Sequence, residues 1–333
     1  MAAKKYDNPV TATLSGIFNM FKKTERFGNL SDDDRLDGKT VMITGANSGL
    51  GFATAERIAK LGAKVIMACR SGIPEAGEHI KKLSSSDNIE MESIDLADVD
   101  SILSLCDRLE AKNEKIDILI NNAAVVPGGS KRTPQGLEQM FMVNYLAHFI
   151  LINELLKNNT IPNKVFGGNS NPGNDDKSRI IMISSESHRS GDDLDLNKLG
   201  IYEDFKMSKV VSLYGYYKLA LSTFTAELDR RLNVEGFDVS VHSICPGAVN
   251  SNIARDAPKG FQPLLKVVFK LFFQDPMKAS EPVVYLASSS RLHSDTGHYL
   301  HMWAKKDPDI RSIDEKLGKQ LWERSEQIVA SIL

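Results

Sequence analysis

From Asp37 onward, short β-branched and apolar runs alternate with stretches of helical character, and this alternation constrains the fold more than any other feature. The runs are Val41–Thr44, Lys64–Ala68, Ile89–Ile94, Ile118–Ile120, Ile180–Ile183, Val239–Ser243 and His298–His301. Several are apolar at successive positions, as strands covered on both faces must be. The pattern predicts an α/β fold: one doubly wound, parallel, seven-stranded sheet in a single domain spanning 37–305. No internal repeat interrupts it.

Composition removes several classes of function. Lys and Arg total 41 against 43 Asp and Glu, so the chain lacks the broad basic field that a run of phosphate contacts needs, and nucleic acid is not an expected partner. Cys69, Cys106 and Cys245 lie far apart, with no C-x-x-C and no His at ligand spacing. That argues against a metal site or a disulfide framework and points to a reducing, cytoplasmic setting. No apolar run approaches the roughly 20 residues needed to span a bilayer. Residues 1–10 lack the apolar stretch of a secretory signal, so the mature chain is expected to start near Met1.

Three segments depart from the alternation. Residues 1–36 carry Val10, Leu14, Ile17, Phe18 and Phe21 at helical spacing, which predicts a short amphipathic helix. Residues 1–30 hold five Lys/Arg against two Asp/Glu, a balance that suits peripheral contact with an anionic membrane, although the helix could equally dock on the domain. Residues 163–178 are rich in Asn, Gly, Ser, Pro and Asp and predict a mobile surface loop. Residues 306–333 form a C-terminal helical extension.

Directly after the first run stands Thr44-Gly45-Ala46-Asn47-Ser48-Gly49-Leu50-Gly51, followed by a helix. Glycines at such a turn let backbone N–H groups approach a pyrophosphate closely, and the helix dipole favours the anion, so a dinucleotide site is predicted there. The second strand ends in Cys69-Arg70-Ser71, without the carboxylate that would bind a ribose 2′-OH. Arg70 and Ser71 suit a 2′-phosphate instead, and NADP(H) is preferred over NAD(H). Downstream, Tyr214 and Lys218 sit at i and i+4, on one face of a long helix. An ammonium beside a phenol is expected to favour the phenolate, which makes Tyr214 the candidate acid/base. Tyr216 and Tyr217 are read as packing or rim residues.

Taken with further motifs, these residues resemble the short-chain dehydrogenase/reductase family over about 37–305. The motifs are Asp95-Leu96, Asn121-Asn122-Ala123-Ala124, Asn144, Ser184-Ser185 and Pro246-Gly247. The segments 67–70, 143–149, 184–189 and 321–326 are most similar to its retinol-dehydrogenase-like branch. The resemblance implies a Rossmann fold in which Tyr214 exchanges a proton with the substrate oxygen and Ser185 hydrogen-bonds it. Lys218 would hold the nicotinamide ribose and Asn144 a water in the proton path. Asp95 with Leu96 would line the adenine site, while Asn122, Ala123, Ala124, Pro246, Gly247, Val249 and Ser251 would line the rest of the cofactor. It also implies a homo-oligomer. Ala124 stands where the family usually has glycine, and the 29-residue interval from Ser185 to Tyr214 is long for the family, so Gly191–Met207 must loop out. His188 is read as a loop residue, because no nucleophile elbow supports a Ser–His hydrolase.

Residues 261–273 are the most hydrophobic window, and the resemblance places a substrate lid near 255–280. A greasy lid suggests a lipophilic substrate of retinoid, steroid or fatty aldehyde/ketone type. The reading is therefore an NADP(H)-dependent oxidoreductase interconverting an alcohol and a carbonyl. The alternatives are a ring double-bond reductase of protochlorophyllide-reductase type and a non-catalytic NADP(H)-binding scaffold or sensor.

Overall fold

A computed structural model describes residues 26–166, 177–234, 236, 238–249 and 274–333. The predicted amphipathic helix in 1–25, the tip of the 163–178 loop, Ser251 and the lid window 261–273 lie outside the described residues.

Seven parallel strands form the sheet: β1 (Thr40–Thr44), β2 (Lys64–Cys69), β3 (Ile89–Ser93), β4 (Ile118–Asn121), β5 (Arg179–Ile183), β6 (Ser240–Cys245) and β7 (Tyr299–His301). An eighth strand, β8 (Ala304–Lys305), pairs antiparallel with β7 and was not expected from sequence. At two residues it is too short to show any alternation. The spatial order β3-β2-β1-β4-β5-β6-β7-β8 reverses direction between β1 and β4. In open α/β sheets, ligands bind in the crevice beyond the carboxyl ends of the strands at such a switch point.

The helices are α1 (Gly49–Lys60), α2 (Glu75–Ser84), α3 (Val99–Ala111), α4 (Ala147–Lys157), α5 (Met207–Leu232), α6 (Pro276–Ser288) and α7 (Glu315–Ile332). They cover both faces, which is why the strands are apolar at consecutive positions. In β1, Val41 and Ile43 enter the core shared with α1 and α6, while Met42 points into the core under α3, α4 and α5. In β4, Ile118 and Ile120 face the first side and Leu119 the second. Strand alternation thus splits one apolar run between two cores.

Both ends of the described chain are packed. The Phe27 N–H donates to the Trp303 carbonyl at 2.7 Å, and its ring stands edge-on to Tyr285. At the other end, Trp322 of α7 packs on Phe149 and Phe224, and the Ser325 and Tyr145 hydroxyls meet at 2.6 Å. Asp314 caps α7 by accepting from the Leu317 N–H.

Candidate active site

The carboxyl ends of β1, β2, β4, β5 and β6 open onto one cleft of about 390 Å³. Among its lining residues are Gly45, Asn47, Ser48, Leu50 and Gly51 of the first turn, Arg70 and Ser71 after β2, and Asp95 and Leu96 after β3. Asn122, Ala123 and Ala124 after β4, Ser185 after β5, Tyr214 and Lys218 on α5, and Pro246, Gly247 and Val249 after β6 complete it. Residues scattered over two hundred positions therefore converge on one space.

The glycine turn is shaped as an anion cradle. Gly45 and Gly49 have φ of +66° and +57°, the left-handed region that side chains disfavour. A Cβ on Gly51 would collide with the Gly45 carbonyl oxygen and come within 2.5 Å of Asn122 Nδ2. Ser48 precedes α1 without making a side-chain cap, which leaves the first-turn amides to a ligand. Asn122 holds the turn from behind, its Nδ2 donating to the Thr44 and Gly45 carbonyls at 2.9 and 3.2 Å. From the side, Asn47 Nδ2 donates to the Ser71 carbonyl at 2.9 Å. A dinucleotide pyrophosphate fits this cradle.

No carboxylate ends β2. Arg70 is half-exposed, and its guanidinium lies 3.9 Å from Asp95 across the cleft mouth, a loose pair that leaves donors for a ligand. Asp95 is itself fixed, because its Oδ1 accepts from the Ala97 N–H at 2.9 Å.

The structure separates the two adjacent serines. The Ser184 hydroxyl is buried against Ser222 Oγ at 3.0 Å. Ser185 Oγ sits 2.7 Å from Ser187 Oγ, accepts from the Ser187 N–H at 3.2 Å, and lowers the Tyr214 phenol pKa from nearby. Ser187 was not singled out in the sequence; the S-x-S spacing was the available signal.

Lys218 does not act on Tyr214 in the way the i, i+4 spacing predicts. Its Nζ donates to the Ile183 carbonyl at 2.7 Å and stands 5.8 Å from the centre of the tyrosine ring. Burial pushes the ammonium pKa down to about 8. The Tyr214 phenol is pushed up, first by burial and then by the nearby Cys245 thiol, with only the Ser185 hydroxyl pulling it back. In the protein alone, desolvation outweighs the expected pull toward phenolate.

Asn144 is held by its side chain behind the loop after β4. It lies in a π-turn, Met142–Leu146, where helices often carry functional residues, but its side chain is committed elsewhere. Its Oδ1 accepts from the Val125 N–H at 2.7 Å and its Nδ2 donates to the Val125 carbonyl at 2.8 Å. The side chain thus clasps the loop after β4. A residue that sequence did not flag, His148, reinforces the same wall. Its ring nitrogens lie 3.2 Å from Asn121 Oδ1 and from the Ala123 carbonyl, and burial pushes its pKa down to about 3, so it is neutral.

The long Ser185-to-Tyr214 insertion packs across α5 without displacing either residue. The Tyr216 hydroxyl accepts from the Asp195 N–H at 3.0 Å, Ser130 Oγ donates to Asp204, and Arg132 stacks on Tyr202 at 3.6 Å. Among the described residues, no helix is long and apolar enough to cross a membrane, and no His, Cys, Asp and Glu cluster could hold a metal ion.

Comparison with known proteins agrees with this architecture. The short chain dehydrogenase family model matches residues 39–191. Retinol dehydrogenase 14 of Homo sapiens is 32% identical over 324 residues, covering 92% of this chain and 91% of that protein. Retinol dehydrogenase 13 of Mus musculus is 34% identical over 96% of this chain and 92% of its own length. Polyprenol dehydrogenase of Homo sapiens is 30% identical, covering 86% and 84%. Among solved structures, an uncharacterized protein from Mycobacterium Paratuberculosis superposes with a TM-score of 0.67 at 26% identity, covering 89% of this chain and 95% of that one. The glycine cradle, the Tyr214/Lys218 helix and these relatives converge: the chain belongs to the short-chain dehydrogenase/reductase family, in its retinol-dehydrogenase-like branch, and is an NAD(P)-dependent oxidoreductase.

Proposed function

We propose that this protein interconverts an alcohol and a carbonyl on a lipophilic small molecule, using NADP(H). The observation that carries this reading is the meeting of Ser185, Tyr214 and Lys218 in one wall of the cofactor cleft. A bound nicotinamide supplies or accepts the hydride; the protein supplies a proton and hydrogen bonds to the reacting oxygen. Tyr214, kept protonated by burial, donates to the carbonyl oxygen in reduction, and Ser185 donates to the same oxygen as charge develops on it. Lys218, 2% exposed, places a cationic side chain at this end of the cleft, where it would hold the ribose of a bound cofactor and stabilise the phenolate that forms. Asn144 and His148 keep the loop after β4 rigid behind the cofactor.

The substrate class rests on the relatives, whose names specify retinol and polyprenol, both apolar alcohols. The test is a panel containing all-trans-retinal, a C15 isoprenoid aldehyde, a steroid ketone and a short polar aldehyde, assayed with NADPH and NADH. Turnover of the apolar members over the polar one is expected, and the reverse order would remove the substrate assignment. Light-dependent turnover of a tetrapyrrole alone would favour the ring reductase, and tight NADPH binding with no turnover a scaffold.

The cofactor preference rests on Arg70 and the missing carboxylate. The double variant Cys69→Asp, Arg70→Ala introduces an acceptor for a 2′-OH and removes a donor for a 2′-phosphate. We expect the ratio of kcat/KM for NADPH over NADH to fall by roughly 10–100-fold, the worth of a lost bidentate charged contact plus a new repulsion. An unchanged ratio would show that Arg70 does not meet the cofactor.

A further inference from the structure

His188 has no place in the cleft, yet it is fully buried and both its ring nitrogens are engaged. Nδ1 lies 2.6 Å from the Ser185 carbonyl oxygen, and Nε2 lies 3.0 Å from the Asp309 N–H. A carbonyl only accepts and a backbone N–H only donates, so the proton must reside on Nδ1 and Nε2 must be bare. The same Ser185 carbonyl accepts from the His188 N–H at 3.0 Å, which occupies both its lone pairs and fixes the peptide that follows the serine.

The far side of the imidazole is fixed as firmly. Asp309 binds Arg311 through Nε at 2.8 Å and Nη2 at 3.0 Å. Arg311 then donates to the Gly191 carbonyl at 2.7 Å and to the Arg189 carbonyl at 3.2 Å. The chain after β8 is thereby wrapped around the turn Glu186–Arg189, with His188 as its central pin. Tyr299 of β7 closes the pocket, its ring edge-on to the imidazole at 5.3 Å and its hydroxyl bonded to Glu186.

We infer that His188 is a positioning residue: pinned by Asp309, its imidazole fixes the Ser185 carbonyl and so aims the Ser185 hydroxyl at Tyr214. The inference rests on the role proposed above for Ser185. It also assigns a purpose to the segment 307–311, which is not among the residues lining the cleft.

Two substitutions separate the bonds. In His188→Asn the amide nitrogen takes the place of Nδ1 and keeps the Ser185 contact; in His188→Gln the amide reaches the Nε2 position and the Ser185 contact is lost. With all-trans-retinal and NADPH as probes, His188→Gln should lower kcat by roughly 10–100-fold with the KM for NADPH unchanged, as a small displacement of a reacting group does. His188→Asn should recover most of that loss. On a Ser185→Ala background, His188→Gln should cost nothing further. Equal losses in the Asn and Gln variants, or a full Gln effect in the absence of the Ser185 hydroxyl, would reduce His188 to a structural residue and overturn the inference. If the wild-type chain reduces no member of the substrate panel, the proposed function has failed and the clamp is judged separately by imidazole 15N spectra of the intact protein. A protonated Nδ1 with a bare Nε2 supports the clamp, and the opposite tautomer overturns it.

Discussion

Tyr214→Phe should lower kcat by ~10²–10⁴-fold, the usual worth of a positioned proton donor. The change deletes one oxygen and leaves the ring in its packing, so NADPH affinity should be nearly unaltered. Turnover at the wild-type rate would eliminate Tyr214 as the acid/base. The neighbouring lysine gives this prediction a pH dependence. The Lys218 ammonium, displaced to about 8 by burial, loses its proton on the alkaline side. Wild-type activity should therefore fall as pH rises through that value, as the positive charge that stabilises the phenolate disappears. Stability moves the other way. The folded value lies below the unfolded reference of 10.5, so between about pH 8 and 10.5 the unfolded chain binds more protons and this group makes the fold more stable as pH rises. Loss of rate without loss of structure across that window is the expected signature. Simultaneous unfolding would assign the alkaline limb to another group.

Gly215→Val should be nearly as damaging while touching no reacting atom. Gly215 sits on α5 beside Tyr214 where the turn after Ser185 crosses the helix. A Cβ there would lie 2.8 Å from the Ser187 carbonyl and 3.2 Å from the Gly191 nitrogen. On the opposite side of the contact, a Cβ on Gly191 would stand 2.7 Å from the Gly215 carbonyl carbon and oxygen. Two facing glycines thus let the turn lie directly on the helix backbone. Valine would push the turn outward by its own volume and carry Ser185 away from Tyr214. A displacement of about 1 Å can cost on the order of 10²-fold in rate, and that loss is expected in kcat. Thermal stability should change less than this figure suggests, because replacing a helix-interior glycine by valine gains about 0.3 kcal/mol of propensity and offsets a small part of the steric strain. Full turnover by Gly215→Val would mean that the serine need not approach the phenol.

Much of this site was legible because it is built from local patterns. The strand runs, the glycine turn after β1 and the Tyr214/Lys218 spacing each depend on residues a few positions apart, and periodicity reveals them. What periodicity could not show is where long-range partners stand. Lys218 was placed on the correct helical face, but its bond to the Ile183 carbonyl, 35 positions away, and the desolvation that reverses the expected effect on Tyr214 are properties of the packed fold. Asn144 was selected as a site residue, but its commitment to Val125 comes from a π-turn that no residue type announces. His188 was read as a loop residue because its partner, Asp309, lies 121 positions downstream. β8 escaped notice through brevity alone.

All three thiols are buried, Cys69 at the rim of the cleft, Cys106 on α3 and Cys245 at the end of β6. Burial pushes each away from ionisation, Cys69 and Cys245 up to about 11 and Cys106 to about 12. Since the thiolate is the reactive form and all three sulfurs are buried, alkylation of the native protein is expected to be slow at each of these positions. The rate at which such an agent marks each sulfur consequently reads out how often that region opens, giving the chain three intrinsic clocks for local unfolding: one at the glycine-turn end of the cleft, one beneath the helical layer and one near Tyr214.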